Sequence, residues 1–179
     1  MSTIAIVGAG RGLGAAVAHE FAGHGFNVAL ISRTQAHVDA LAAEVRAENV
    51  DARGFAADVR NPQQLAAALD EAARLLGTIE VLQYSPVPQR DFMKPVLDTT
   101  AEDLRAPIEQ SVYGPVTAVQ QVLPGMRSNG RGTIVLVNGA SAVRPGPGVT
   151  GTSVAFAAES AYGQLLHDAL TPSTSTSAS

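Results

Sequence analysis

The chain of 179 residues contains no cysteine and no tryptophan, and only 4% of it is aromatic. Without cysteine there is no disulfide framework, no thiolate metal site and no cysteine nucleophile. The scarcity of rings leaves alanine, valine and leucine to build the core. Positive charge is also short: 12 Lys and Arg stand against 16 Asp and Glu, a net charge of −4 with a pI near 5.5. That balance argues against a nucleic-acid or anionic-membrane partner. Lysine occurs once, at Lys94. No apolar run approaches the roughly 20 residues that span a bilayer. The N-terminus lacks a basic region followed by an apolar stretch and a cleavage site, so the chain reads as cytoplasmic. The histidines, His19, His24, His37 and His167, fall on peripheral helices with no ligand spacing on one face, and no metal is assigned.

What is present begins with Gly8-Ala9-Gly10-Arg11-Gly12-Leu13-Gly14. It follows the apolar, β-branched run Thr3 to Val7, which reads as a buried strand. It precedes Ala15 to Phe21, which reads as a helix. A glycine-rich turn between a strand and a helix N-terminus is a phosphate cradle. Its backbone can approach the ligand closely, and the N–H groups of the first helical turn point at the anion. The stretch predicts a dinucleotide-binding site.

Strand-like and helix-like segments then alternate. Asn27 to Ser32 and Ala52 to Ala57 read as strands, with an amphipathic helix over Gln35 to Ala47 between them. Asn61-Pro62 starts a helix that stops at Gly77. Ile79 to Gln83 is a fourth strand, followed by a proline-broken loop from Tyr84 to Pro95. Thr100 and Asp103 form a capping pattern ahead of a long helix over Ile108 to Arg127. Gly132 to Asn138 is a fifth strand, apolar on both faces like a strand inside a parallel sheet; no strand-like run follows it, so it is expected to stand as an edge. A last helix covers Ser153 to Leu170. Such alternation predicts an α/β fold, a three-layer doubly wound parallel sheet of strand order 3-2-1-4-5. The ligand crevice should open between strands one and four. Residues 1–170 form the nucleotide-binding domain, and the Ser/Thr-rich tail 171–179 is expected to be disordered.

Arg33 directly follows strand two, where an acid would bond the adenosine ribose and a base suits a 2′-phosphate. With Ser32, Thr34 and Arg11 nearby, the residues favour NADP(H). The alternative is a solvated strand-end charge. Asp58-Val59 can contact adenine, or Asp58 can simply cap its own turn. Tyr84 and Ser85 wall the other side of the crevice.

The spacing Gly8-x-x-x-Gly12-x-Gly14, the pair Asp58-Val59, the run Val122-Leu123-Pro124-Gly125-Met126 into Gly132-Thr133-Ile134-Val135, and Asn138-Gly139-Ala140-Ser141 resemble the short-chain dehydrogenase/reductase family. The resemblance covers residues 3 to about 170. It implies a Rossmann fold that here lacks the last strands, a nicotinamide cofactor, a small-molecule substrate, and a homodimer or homotetramer built on helices 108–127 and 153–170. It also implies a tyrosine followed four residues later by a lysine. No such pair exists here. The apolar spacing of the last helix puts Phe156 at the tyrosine position and Ser160 at the lysine position. The supporting asparagine falls on Ser111, and Tyr84-Ser85-Pro86-Val87 replaces the motif after strand four. Only Ser141 matches the family's catalytic set. Tyr113 and Tyr84 are the other candidate proton donors, while Glu159 is expected to face solvent or a partner. The implied function is an NADP(H)-dependent oxidoreductase for a small carbonyl or alcohol with a non-standard site. The alternative is an NADPH-binding sensor or scaffold without turnover.

Overall fold

In the computed structural model, which describes residues 2–171, five strands form one parallel sheet. They are Thr3–Val7 (β1), Asn27–Ser32 (β2), Ala52–Ala56 (β3), Ile79–Tyr84 (β4) and Thr133–Leu136 (β5). Their order is β3-β2-β1-β4-β5, as the alternation predicts. Residues 172–179, and with them nearly all of the expected tail, lie outside the described residues.

Strand periodicity sorts the core into two layers. Ile4, Ile6, Val28 and Leu30 face one side, where Leu13–Gly23 (α1) and Gln35–Val45 (α2) cover them with Ala18, Ala22, Val38 and Leu41. Ala5, Val7, Ala29, Ile31, Leu82 and Tyr84 face the other. There Pro62–Leu76 (α3) and Gly114–Ser128 (α5) supply Leu65, Leu69, Val119 and Val122, and Thr150–Leu170 (α6) adds Tyr162 and Leu166. Small alanines set the close helix–sheet spacing that an aromatic-poor chain requires. The predicted caps are present. The Asn61 side chain accepts from the Gln64 N–H at 3.1 Å. Thr100 and Asp103 bond each other reciprocally, backbone N–H to side chain, at 2.9 and 3.3 Å.

β5 stands at the edge, as the order 3-2-1-4-5 requires, with Val135 42% exposed and β4 its single neighbour among the described residues. One element differs from expectation. The predicted continuous helix over 108–127 is instead Arg105–Ile108 (α4), a π-helical segment Glu109–Tyr113, and α5. Two causes lie in the sequence. Pro115 has no N–H to donate to the carbonyl four residues back, which breaks the α-helical ladder. The Tyr84 hydroxyl then enters from β4 and donates to the Gln110 carbonyl. Gly114 makes room for it, since a Cβ there would collide with the Tyr84 hydroxyl and lie 3.1 Å from the Val59 carbonyl oxygen.

This geometry yields a stability prediction. Gly114→Ala should lose about 1–3 kcal/mol by overpacking, despite alanine's higher helix propensity. Tyr84→Phe should cost about 1 kcal/mol for the lost hydrogen bond. Chemical denaturation of the double variant should give a loss smaller than the sum. A neutral or stabilising Gly114→Ala would contradict the packing described.

Candidate nucleotide site

The glycine loop sits where the sheet order reverses, between β1 and β4. Its start is fastened to β2: the N–H groups of Gly8 and Ala9 both donate to the Ile31 carbonyl, at 2.9 and 3.0 Å. Gly8 has φ +90, a conformation L side chains rarely adopt. A Cβ on it would lie 2.6 Å from the Pro86 nitrogen. Gly14 is similarly confined, its Cβ position lying 2.9 Å from the Ala9 Cα. By contrast, nothing stands within 4 Å of a Cβ built on Gly12. The loop is tight behind and open in front, the form a pyrophosphate cradle needs. Leu13 opens α1; the Ala15 and Ala16 N–H groups donate back to the Gly10 and Gly12 carbonyls at 2.8 and 3.1 Å, which leaves the N–H groups of Leu13 and Gly14 available to an anion.

A crevice of about 250 Å³ runs from this loop. It gathers Gly8 and Gly10, then Ser32, Arg33 and Thr34 at the end of β2, then Asp58 and Val59 after β3, with Pro86, Val87 and Gln89 opposite. Arg11, Gly12 and Leu13 are exposed and do not line the crevice; Arg11 lines a smaller hollow with Ala15, His37 and Glu44, and Ser85 is held to β1 by its N–H bond to the Val7 carbonyl at 2.8 Å. Arg33 is exposed and close enough to Asp58 to act on its charge. Burial works to raise the Asp58 carboxyl, but hydrogen bonds from the Arg60 side chain and N–H, with the charges of Arg60 and Arg33, outweigh it. The group is held below its ordinary value and stays an ionised acceptor. These residues fit a dinucleotide: a backbone cradle, a free guanidinium and a carboxylate follow one another along one groove.

The chemical half is arranged differently. Phe156 of α6 is 7% exposed and its ring faces the end of β5, with Cε2 3.1 Å from a Cβ built on Gly139. Ser141 adjoins it, its Oγ 3.8 Å from that same point. Phe156 and Ser141 thus both stand against Gly139, just beyond the end of β5. Ser160, four residues on, is exposed. Neither tyrosine candidate joins Ser141. Tyr84 is sealed in the core at 1% exposure, its hydroxyl given to the Gln110 carbonyl. Desolvation, then the charges of Glu159 and Asp58, push its ionisation far above the ordinary range. It is a packing residue and does not line the crevice. Tyr113 is 56% exposed beside Leu104, Arg105 and Ile108 on the outer face, away from the crevice. Lys94 is occupied: its Nζ donates to Asp103 Oδ1 at 2.5 Å, and its carbonyl accepts from the Thr150 N–H and hydroxyl.

A match to the family model described as short chain dehydrogenase extends over residues 2–171. The chain belongs to the short-chain dehydrogenase/reductase family. It is 31% identical over 160 residues to Oxidoreductase UcpA of Escherichia coli, covering 89% of this chain and 56% of that protein. It is also 31% identical over 162 residues to rat Inactive hydroxysteroid dehydrogenase-like protein 1, covering 88% of this chain and 46% of that protein. The chain thus spans about half the length of the curated relatives it matches. The solved structure of L-sorbose reductase from Gluconobacter frateurii, complexed with NADPH and L-sorbose, superposes with a TM-score of 0.87 at 22% identity. It covers 94% of this chain and 64% of the reductase, a likeness of fold.

Within the family frame, three placements correct or extend the reading of the sequence. Glu159 does not face solvent. It is 1% exposed, because α6 turns Ala155, Phe156 and Glu159 inward together. His37 is not peripheral: it lines the crevice and donates from Nε2 to the Ala9 carbonyl at 3.0 Å, tying α2 to the glycine loop. Gln110 also lines the crevice. Its signal in the sequence was slight, a polar residue beside the Ser111 that stands for the family's asparagine. No helix among the described residues is long and apolar enough to cross a membrane. A larger groove, about 790 Å³, follows the free edge of β5 and contains none of the predicted site residues.

Glu159 makes folding depend on pH. Desolvation raises its carboxyl to about 8 from 4.5, so the folded chain holds a proton that the unfolded chain releases. The stabilisation is complete below about pH 4.5, declines as pH rises and is gone above about 8, a span worth on the order of 5 kcal/mol. Glu159→Gln should flatten this decline, measured as denaturation midpoints between pH 5 and pH 9. A slope equal to that of the natural sequence would assign the pH dependence elsewhere.

Proposed function

We propose that this chain binds NADP(H) and does not run the family's tyrosine–lysine proton relay. The observation that carries the reading is the pairing of an intact crevice with a sealed chemical half. Arg33 stands free at the end of β2, where a 2′-phosphate would meet its planar, bidentate guanidinium. Ser32 and Thr34 add hydroxyls, Arg11 a second cation, and the Gly8 to Gly14 backbone the pyrophosphate donors. No acid stands there to take ribose hydroxyls, which disfavours the unphosphorylated cofactor. Downstream, Phe156 has no exchangeable proton and Ser160 no charge. The one lysine is held by Asp103. A sensor or scaffold role, in which occupancy of the crevice is the signal, fits this arrangement. The rat relative named as inactive lends the reading a precedent.

A second reading keeps the enzyme. Ser141 lies beside Gly139 and Phe156 at the strand end, where its hydroxyl can donate to the oxygen of a small carbonyl substrate. A bound nicotinamide supplies hydride, and solvent would supply the proton. The outward apolar residues Val154, Leu165 and Leu170 of α6 support an oligomer through that helix in either case.

Titration with NADPH and NADH, followed by nicotinamide fluorescence, separates these ideas. Arg33→Asp should weaken NADPH at least 100-fold and change NADH by less than threefold. Equal losses for the two would remove the 2′-phosphate assignment. Steady NADPH oxidation with any member of a small carbonyl panel, abolished by Ser141→Ala, would install the second reading in place of the first.

A further inference from the structure

The crevice contains one polar group that the cradle and the 2′-phosphate site leave unexplained. Gln110 lies in the π-helical segment between α4 and α5, lines the crevice and is 3% exposed. Its backbone carbonyl is satisfied by the Tyr84 hydroxyl. Its side-chain Nε2 is enclosed and meets no acceptor. A buried amide donor without a partner is destabilising, and a leucine of similar size would remove the cost. Such a group at a lining position fits a partner that arrives with the ligand.

Topology says which part of a dinucleotide that partner is. The cradle at β1 takes the pyrophosphate and Arg33 at the end of β2 takes the adenosine ribose. The sheet continues outward to β3, which delivers Asp58 and Val59. The π-helical segment packs over this same turn, since the Val59 carbonyl oxygen lies 3.1 Å from a Cβ built on Gly114. What extends from the ribose toward Val59 and Gln110 is the base. Asp58 is an ionised carboxylate and can only accept hydrogen bonds. It can take the amino group of adenine but can give nothing to a ring nitrogen. The Gln110 amide can donate, and a half-turn about its Cγ–Cδ bond exchanges its donor and acceptor atoms. Adenine presents an amino donor beside a ring-nitrogen acceptor, the pattern a carboxamide matches.

We infer that Gln110 is a base-reading residue, its amide bonding the edge of adenine opposite the Asp58–Val59 turn. The inference rests on the nucleotide reading above. It makes Gln110 a determinant of which nucleotide enters, in addition to Arg33.

The test compares NADP⁺ with its 1,N6-etheno analogue, whose added ring removes the amino donor and blocks the adjacent nitrogen. Both are titrated into the full chain and its Gln110→Leu variant, and thermal midpoints are taken without ligand. The natural sequence should prefer NADP⁺ by at least tenfold. Gln110→Leu should reduce that preference about tenfold while leaving the ligand-free midpoint unchanged or higher. An undiminished preference in the leucine variant overturns the base-reading role. A lowered midpoint with unchanged preference assigns Gln110 to structure alone. Binding of neither nucleotide by the natural sequence overturns the NADP(H) reading itself, and this inference with it.

Discussion

The crevice depends on how closely the backbone at Gly8 approaches that at Pro86. Any side chain at Gly8 would enter the Ser85–Pro86 backbone. The two loops that leave β1 and β4 therefore meet only because residue 8 has no Cβ and adopts a positive φ. Two N–H bonds from Gly8 and Ala9 to Ile31, and the Ser85 N–H bond to Val7, hold the loops to the ends of three adjacent strands. The rigid sheet thus fixes the loop, leaving Gly12 and Leu13 exposed on its open side. His37 extends this bracing to α2. Preorganisation of this kind lowers the ordering cost of binding and places it in the fold.

The same sheet sets the fate of the chemical half. Tyr84, the last residue of β4, points into the α5 side and is capped by the Gln110 carbonyl in the notch at Gly114. It cannot turn toward the crevice without vacating the core. Phe156 packs where the end of β5 and α6 converge and fills that corner with a hydrocarbon ring that has no proton to exchange. Glu159, one turn further, is buried, and desolvation keeps it largely protonated near neutral pH. Acidic and aromatic groups are present in this half, but desolvation binds them to the core and withholds them from a substrate.

Much of this was legible in the sequence. Period-two strands, proline and glycine punctuation and the Thr100–Asp103 box act locally, so they predict elements and the 3-2-1-4-5 order from short windows. The crevice residues were equally legible, because Gly8, Gly10, Arg33 and Asp58 follow strand ends that the fold itself brings together. Three features were not. The π-helical segment requires a tyrosine from β4 to meet a carbonyl 26 residues away. Glu159 is buried because of how α6 rotates against its neighbours, and its charge alone pointed outward. Gln110 and His37 reach the crevice only through tertiary packing, which no spacing records. The edge position of β5 followed from the order 3-2-1-4-5, although its apolarity on both faces taken alone pointed to the interior of the sheet.

A nucleotide grip joined to a dismantled proton relay is what the proposed function requires, and a crystal structure of the chain grown with excess NADPH decides it. The pyrophosphate should lie over the Gly10–Gly14 backbone and the 2′-phosphate on Arg33, with no side-chain proton donor within hydrogen-bond reach of the nicotinamide face except Ser141. An empty crevice, or a tyrosine or lysine brought against the nicotinamide, would contradict it.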